Sequence, residues 1–94
     1  MIKNSKVAII IVNWKQYELT KSCLFSLKKI NYDDHQIILI DNESNQKELK
    51  SIKNQFENII TFSNERNLGF TGANNIGIKY AIKNEFEYVM LINN

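Results

Sequence analysis

Asp41 closes the apolar run Ile37 to Ile40, and a carboxylate there can accept hydrogen bonds from a ribose hydroxyl or a base N–H. The stretch Asp41-Asn42-Glu43-Ser44-Asn45 is also ordinary turn and cap chemistry, so the local sequence supports both readings. Asn13 and Trp14 follow the run Val7 to Val12 and offer an amide and an aromatic wall for a planar ring. Their plainer alternatives are a strand-ending turn and a packed indole. The segment Asn67-Leu68-Gly69-Phe70-Thr71-Gly72-Ala73 contains two of the three glycines of the chain, just ahead of a helical pattern. Exposed N–H groups and the positive end of a helix dipole make such a loop a seat for phosphate. The alternative is that Gly69 supplies a positive φ and Gly72 relieves crowding at the helix start. Arg66, in the same loop, fits either a diphosphate contact or solvent.

Other chemistries find little support. The turn Asn13-Trp14-Lys15-Gln16 has no glycine and G-x-x-x-x-G-K-[ST] does not occur, which argues against dinucleotide and P-loop sites. One cysteine, Cys23, and one histidine, His35, leave no internal disulfide and no Cys/His zinc constellation. The net charge of +2 comes from 12 basic and 10 acidic residues with no block of one sign, so neither nucleic acid nor a lipid surface is an expected partner. Val7 to Val12 is too short to cross a membrane and Met1 to Lys6 is not a signal peptide, so a cytoplasmic location is expected.

The candidate residues must be positioned by the elements before them. Four apolar runs, Val7 to Val12, Ile37 to Ile40, Ile59 to Phe62 and Val89 to Ile92, each end in Asn or Asp. None alternates with polar residues, which predicts parallel strands covered on both faces. The spacers then carry helices. Leu19, Cys23, Leu27 and Ile30 predict a helix over Tyr17 to Lys29. Asn45 with Glu48 predicts an N-cap and a reciprocal partner, followed by the stripe Leu49, Ile52 and Phe56. Ala73, Ile76, Gly77, Tyr80 and Ala81 predict a third helix from Thr71 or Gly72 to Lys83. The predicted fold is α/β, a three-layer Rossmann-like unit with a four-stranded parallel sheet ordered 3-2-1-4 and three helices. Asn13, Trp14, Asn93 and Asn94 then meet where the strand order reverses, with Asp41 one strand away, and ligands bind at such reversal points.

Taken in order and spacing, VAIIIVNW, IILIDNESNQ, NERNLGFTGANNIGIKYA and YVMLINN resemble the amino-terminal half of a GT-A-fold, family 2 glycosyltransferase. The resemblance spans nearly the whole chain and implies a single nucleotide-sugar-binding half-domain over residues 1–94, with the acceptor-binding half absent. It implies that Val12, Asn13 and Trp14 line the base pocket and that Asp41 binds the base or ribose. It also implies that Asn67, Gly69 and Gly72 shape the loop beside the nucleotide, and that Asn75 and Gly77 fix the third helix against the sheet. Asn93 and Asn94 would lead into a metal motif whose aspartate lies one residue beyond this sequence, so Mg²⁺ or Mn²⁺ is implied for a longer enzyme and only weakly for these residues. Lys15 departs from the asparagine common in such relatives.

The implied donor is a UDP- or dTDP-sugar and the implied acceptor a glycan or lipid-linked hydroxyl, with inversion at the transferred carbon. Cell-surface polysaccharide or glycoconjugate synthesis, at the inner face of the membrane, is the setting that goes with it. No catalytic residue is expected in this chain, and exposed sheet edges suggest self-association. The alternative is a non-catalytic nucleotide-binding or interaction module with the same half-fold. A nucleotidyltransferase fits less well, for want of a glycine-rich, basic loop after the first strand.

Overall fold

The computed structural model describes residues 7–29 and 34–92. In chain order these form β1 (Val7–Trp14), α1 (Tyr17–Lys28), β2 (His35–Asn42), α2 (Gln46–Gln55), β3 (Ile60–Ser63), α3 (Gly69–Lys83) and β4 (Tyr88–Ile92). The four strands make one sheet in the order β3-β2-β1-β4, with every pairing parallel. The predicted topology is therefore the observed one. Asn93 and Asn94 lie outside the described residues, although Ile92 pairs with Ile11 and so brings β4 toward the tip of β1.

Side chains alternate across a strand, and this divides the apolar runs between two cores. Ile9 and Ile11 of β1 and Ile37 and Leu39 of β2 pack with Leu24 and Leu27 of α1, Leu49 and Ile52 of α2, and Phe56. Ala8, Ile10, Ile38 and Ile40 point the other way, against Ala73 and Ala81 of α3. Small residues on α3 let it approach the sheet: a Cβ on Gly77 would lie 2.8 Å from Cγ2 of Ile10.

Three local expectations are corrected. The fourth apolar run is not covered on both faces, since Tyr88, Val89, Met90 and Leu91 are all exposed. Three helices suffice for β1 and β2 at the centre of the sheet and leave this edge strand open. The inward face of α1 carries Thr20, Leu24 and Leu27, whereas Leu19 is exposed and Cys23 half-buried. Asn45 does cap α2, its Oδ1 accepting from the N–H groups of Lys47 and Glu48 at 3.0 and 3.2 Å. The Asn45 N–H, however, donates to the Tyr17 hydroxyl at 2.9 Å, in place of the return bond expected to Glu48.

The end of α3 has a conformational cost built into it. The N–H of Glu85 donates to the Ile82 carbonyl at 3.1 Å and that of Phe86 to the Ala81 carbonyl at 3.0 Å, the paired bonds of a Schellman terminus. That terminus puts Glu85 at φ 62, in the left-handed region favoured by glycine. Glu85→Gly is expected to raise stability by about 0.5–1 kcal/mol, read from the midpoint of urea unfolding. A lower midpoint would show that the glutamate side chain matters more than its backbone strain.

Candidate functional site

The parallel register sets Asn13 beside Asp41 and Trp14 beside Asn42 at the carboxyl ends of the two central strands. Strand alternation then sends the pairs to opposite faces. Asn13 and Asp41 fall on the side of α1 and α2, and Trp14 and Asn42 on the side of α3.

On the α1 side the polar tips form a closed network. Asp41 is fully buried, and its Oδ1 accepts from Asn13 Nδ2 at 2.9 Å. Its Oδ2 accepts from the hydroxyls of Ser44 at 2.6 Å and Tyr17 at 3.0 Å. Asn13 is equally buried, and its Oδ1 accepts from the Thr20 hydroxyl at 2.6 Å and the Gln16 N–H at 3.2 Å. The Tyr17 hydroxyl both gives to Asp41 and receives from the Asn45 N–H, which ties the starts of α1 and α2 to one carboxylate. Burial first of all pushes the Tyr17 phenol above its usual range, and the adjacent Asp41 adds to the shift. The phenol thus stays a donor. A ligand reaches this carboxylate only by replacing the Ser44 or Tyr17 hydroxyl.

On the α3 side lies a groove of about 280 Å³ lined by Val12, Trp14, Gln16, Asn42, Asn67, Gly69 and Phe70. Trp14 and Phe70 are 49% and 48% exposed, two aromatic surfaces open to a ligand. Trp14 is steadied through its Nε1, which donates to Glu43 Oε1 at 3.0 Å, while Lys15 Nζ lies 3.4 Å from Glu43 Oε2 and 5.7 Å from the indole centroid. The indole N–H and then Lys15 hold the Glu43 carboxyl below the usual carboxylate range, so it is ionised at neutral pH. Lys15 and Glu43 take φ 57 and 49, where asparagine or glycine is the easier fit. Asn42 fixes the far wall: its Oδ1 accepts from Asn64 Nδ2 at 2.8 Å and the Leu68 N–H at 3.4 Å, and its Nδ2 donates to the Gly69 carbonyl at 3.3 Å.

Of the residues singled out in the sequence, Val12, Trp14, Asn67 and Gly69 share the groove, and Asn13 and Asp41 share the buried network. Asn67 caps its own loop, Oδ1 accepting from the Gly69 N–H at 2.8 Å, and Gly69 has φ +77. Gly72 lies beyond the groove lining, where a Cβ would come within 3.1 Å of Leu68 Cβ. Asn75 is exposed, and its neighbour Asn74 takes the buried place on α3. Arg66 is exposed. Cys23 is half-buried, and burial pushes its thiol up, away from a reactive thiolate. Tyr17, Thr20 and Asn42 also belong to these sites, although in the sequence they read only as a helix start, a helix position and a turn residue. The signal for Thr20 was its place four residues before Leu24 and seven before Leu27, a polar group on an inward helix face.

A larger hollow of about 560 Å³ lies at the opposite end of the sheet, lined by Leu24, His35, Ile37 and Phe56 among others. It gathers core side chains and lies away from the strand tips. Among the described residues, no group of three or more His, Cys, Asp or Glu is placed to hold a metal ion. Asp41 already has three donors and Glu43 is engaged by Trp14 and Lys15, and the residues expected to lead into a metal motif, Asn93 and Asn94, lie outside the described residues. Among the described residues, no helix is long and apolar enough to cross a membrane.

Residues 8–94 match the family model described as Glycosyl transferase family 2. The chain belongs to that family. None of the curated proteins matches it in sequence. Family 2 glycosyl transferases use nucleotide-sugar donors and acceptors, and in this member VAIIIVNW is β1 itself, while the glycine-bearing segment supplies one groove wall and most of α3.

Proposed function

We propose that the groove between Trp14 and Phe70 binds the nucleoside diphosphate of a sugar donor. The observation that carries this reading is a groove at the carboxyl ends of β1 and β2, walled by two half-exposed aromatic rings and the first turn of α3. In this reading Trp14 presents its ring to the base, held in orientation by Glu43 and Lys15, and the N-terminal N–H groups of α3 face the phosphates. The buried Asn13–Asp41 pair fixes the strand tips from beneath. Exchange of the Ser44 hydroxyl for a base N–H or ribose hydroxyl would let Asp41 read the nucleoside directly. UDP- or dTDP-sugars are the donors that the resemblance favours, with a glycan or lipid-linked hydroxyl as acceptor and inversion at the transferred carbon. No general base and no metal ligand is assigned to the described residues.

Trp14 is the only tryptophan of the chain, so its fluorescence reports on the groove directly. Titration with UDP and dTDP is expected to quench it saturably, with a Kd on the order of 1 mM for so open a site. Amide shift changes should accompany the quenching at Val12, Asn42 and Gly69. Shifts gathered instead at Leu24, His35 and Phe56, or no saturable response to either nucleotide, would overturn the assignment.

A further inference from the structure

Among the described residues one buried side-chain atom has no hydrogen-bond partner, Nδ2 of Asn74, in a residue that is 4% exposed. A buried amide donor without an acceptor is desolvated with no return, and native proteins keep such groups where water, an ion or a ligand is the missing partner. Asn74 stands four residues after Phe70 on α3, so the two share a helix face, and Phe70 lines the groove. Helical Cα–Cβ bonds tilt toward the N-terminus, and a side chain lies over the turn before its own. The Asn74 amide therefore leans toward the turn that opens on the groove. Ala73, Gly77 and Ala81, buried beside it on α3, carry no side-chain acceptor. The amide oxygens of Asn42 and Asn67, which line the groove, are occupied, Asn42 Oδ1 by Asn64 and Leu68 and Asn67 Oδ1 by the Gly69 N–H.

We infer that Asn74 is a ligand-binding residue whose Nδ2 donates to a phosphate oxygen of the nucleotide in the groove. The inference rests on the nucleotide-binding reading above and adds a residue to it. The chemistry is matched at both ends: Nδ2 is a donor in need of an acceptor, and the first turn of α3, whose N–H groups have no partner within the helix and form its positive dipole end, favours an anion. Phe70, one turn nearer the groove, is half-exposed and lines it.

The test compares UDP, uridine and inorganic pyrophosphate binding to the unaltered chain, to Asn74→Leu and to Asn74→Asp, with thermal unfolding of each. Asn74→Leu removes the unpaired donor at similar size, so it should keep or raise Tm while weakening UDP about tenfold and leaving uridine unchanged. Asn74→Asp presents a carboxylate to the phosphate and should weaken UDP and pyrophosphate by more than tenfold. Equal UDP affinity in a folded Asn74→Leu chain would overturn the inference, as would an equal loss for uridine, which lacks phosphate. Should Asn74→Leu not fold, unchanged UDP affinity in the nearly isosteric Asn74→Asp would overturn it too. If the unaltered chain binds neither UDP nor uridine, the groove reading itself fails and takes this inference with it. If it binds both and the variants behave identically, only the role of Asn74 is lost.

Discussion

Asp41→Ala is expected to destabilise the domain by about 2–4 kcal/mol, because a buried amide donor loses its acceptor and two hydroxyls lose theirs. Asn13 has no accessible surface, so its Nδ2 would be stranded away from water, whereas Tyr17 and Ser44 are half-buried and can turn outward. The starts of α1 and α2 would also lose their common anchor, since Tyr17 links Asp41 to the Asn45 N–H. For a domain of this length the loss corresponds to a fall in Tm of roughly 10–30 °C. Asp41→Asn keeps an oxygen for Asn13 and should cost about 1 kcal/mol, because the two hydroxyls can rotate to accept from its amide. Chemical unfolding of the three proteins decides the matter. An alanine variant within about 0.5 kcal/mol of the parent, the range of ordinary surface changes, would mean that the network contributes nothing.

The second large effect is expected at Gly77. A Cβ there would meet Cγ2, Cδ1 and Cγ1 of Ile10 at 2.8, 2.9 and 3.0 Å, and Ile10 is fully buried with no room to retreat. Alanine improves helix propensity by about 1 kcal/mol, yet overpacking of this kind costs typically about 1–3 kcal/mol. Gly77→Ala should therefore be destabilising overall, and Gly77→Leu should prevent α3 from seating on the sheet. Ile10→Ala alone should cost about 2–5 kcal/mol through its cavity. The double variant Gly77→Ala/Ile10→Ala should lose less than the sum of the singles, because each change accommodates the other. Strict additivity in a double-mutant cycle would show that the contact is not what restricts position 77.

The strand order was readable because four unalternated apolar runs separated by helical spacers leave few arrangements of a parallel sheet. Beyond that, the sequence was ambiguous where one residue serves two levels of structure. Thr20 looks like a gap in the inward stripe of α1, and a reading by hydrophobicity alone turns the helix toward Leu19, which is exposed. Its placement makes sense only once the Asn13 amide oxygen lies opposite, 28 residues in sequence from the carboxylate that holds the rest of that amide. The capping partner of Asn45 is ambiguous for a similar reason: a local pattern offers Glu48, and the fold supplies Tyr17. The strand-tip rule put Trp14 at the right end of the sheet, and the family resemblance grouped Val12, Trp14, Asn67 and Gly69 about one nucleotide. Their division from Asn13 and Asp41 follows from strand alternation, which a list of polar tips leaves out.

The bond between Asn13 and Asp41 also bears on how the chain finds one alignment among several. Ile9-Ile10-Ile11 and Ile37-Ile38-Leu39-Ile40 are so alike that sliding β1 along β2 by a residue exchanges one aliphatic contact for another. Apolar patterning, which normally pins a strand by punishing exposure, is nearly silent when both faces are buried. A slip would instead take the carboxylate from its amide and leave each buried and unanswered, a far steeper penalty than any aliphatic mismatch. The polar tips thus act as the key of an otherwise repetitive lock, opening a gap in energy between the native pairing and its near neighbours. Substitutions at these two positions are therefore constrained by folding fidelity independently of any ligand.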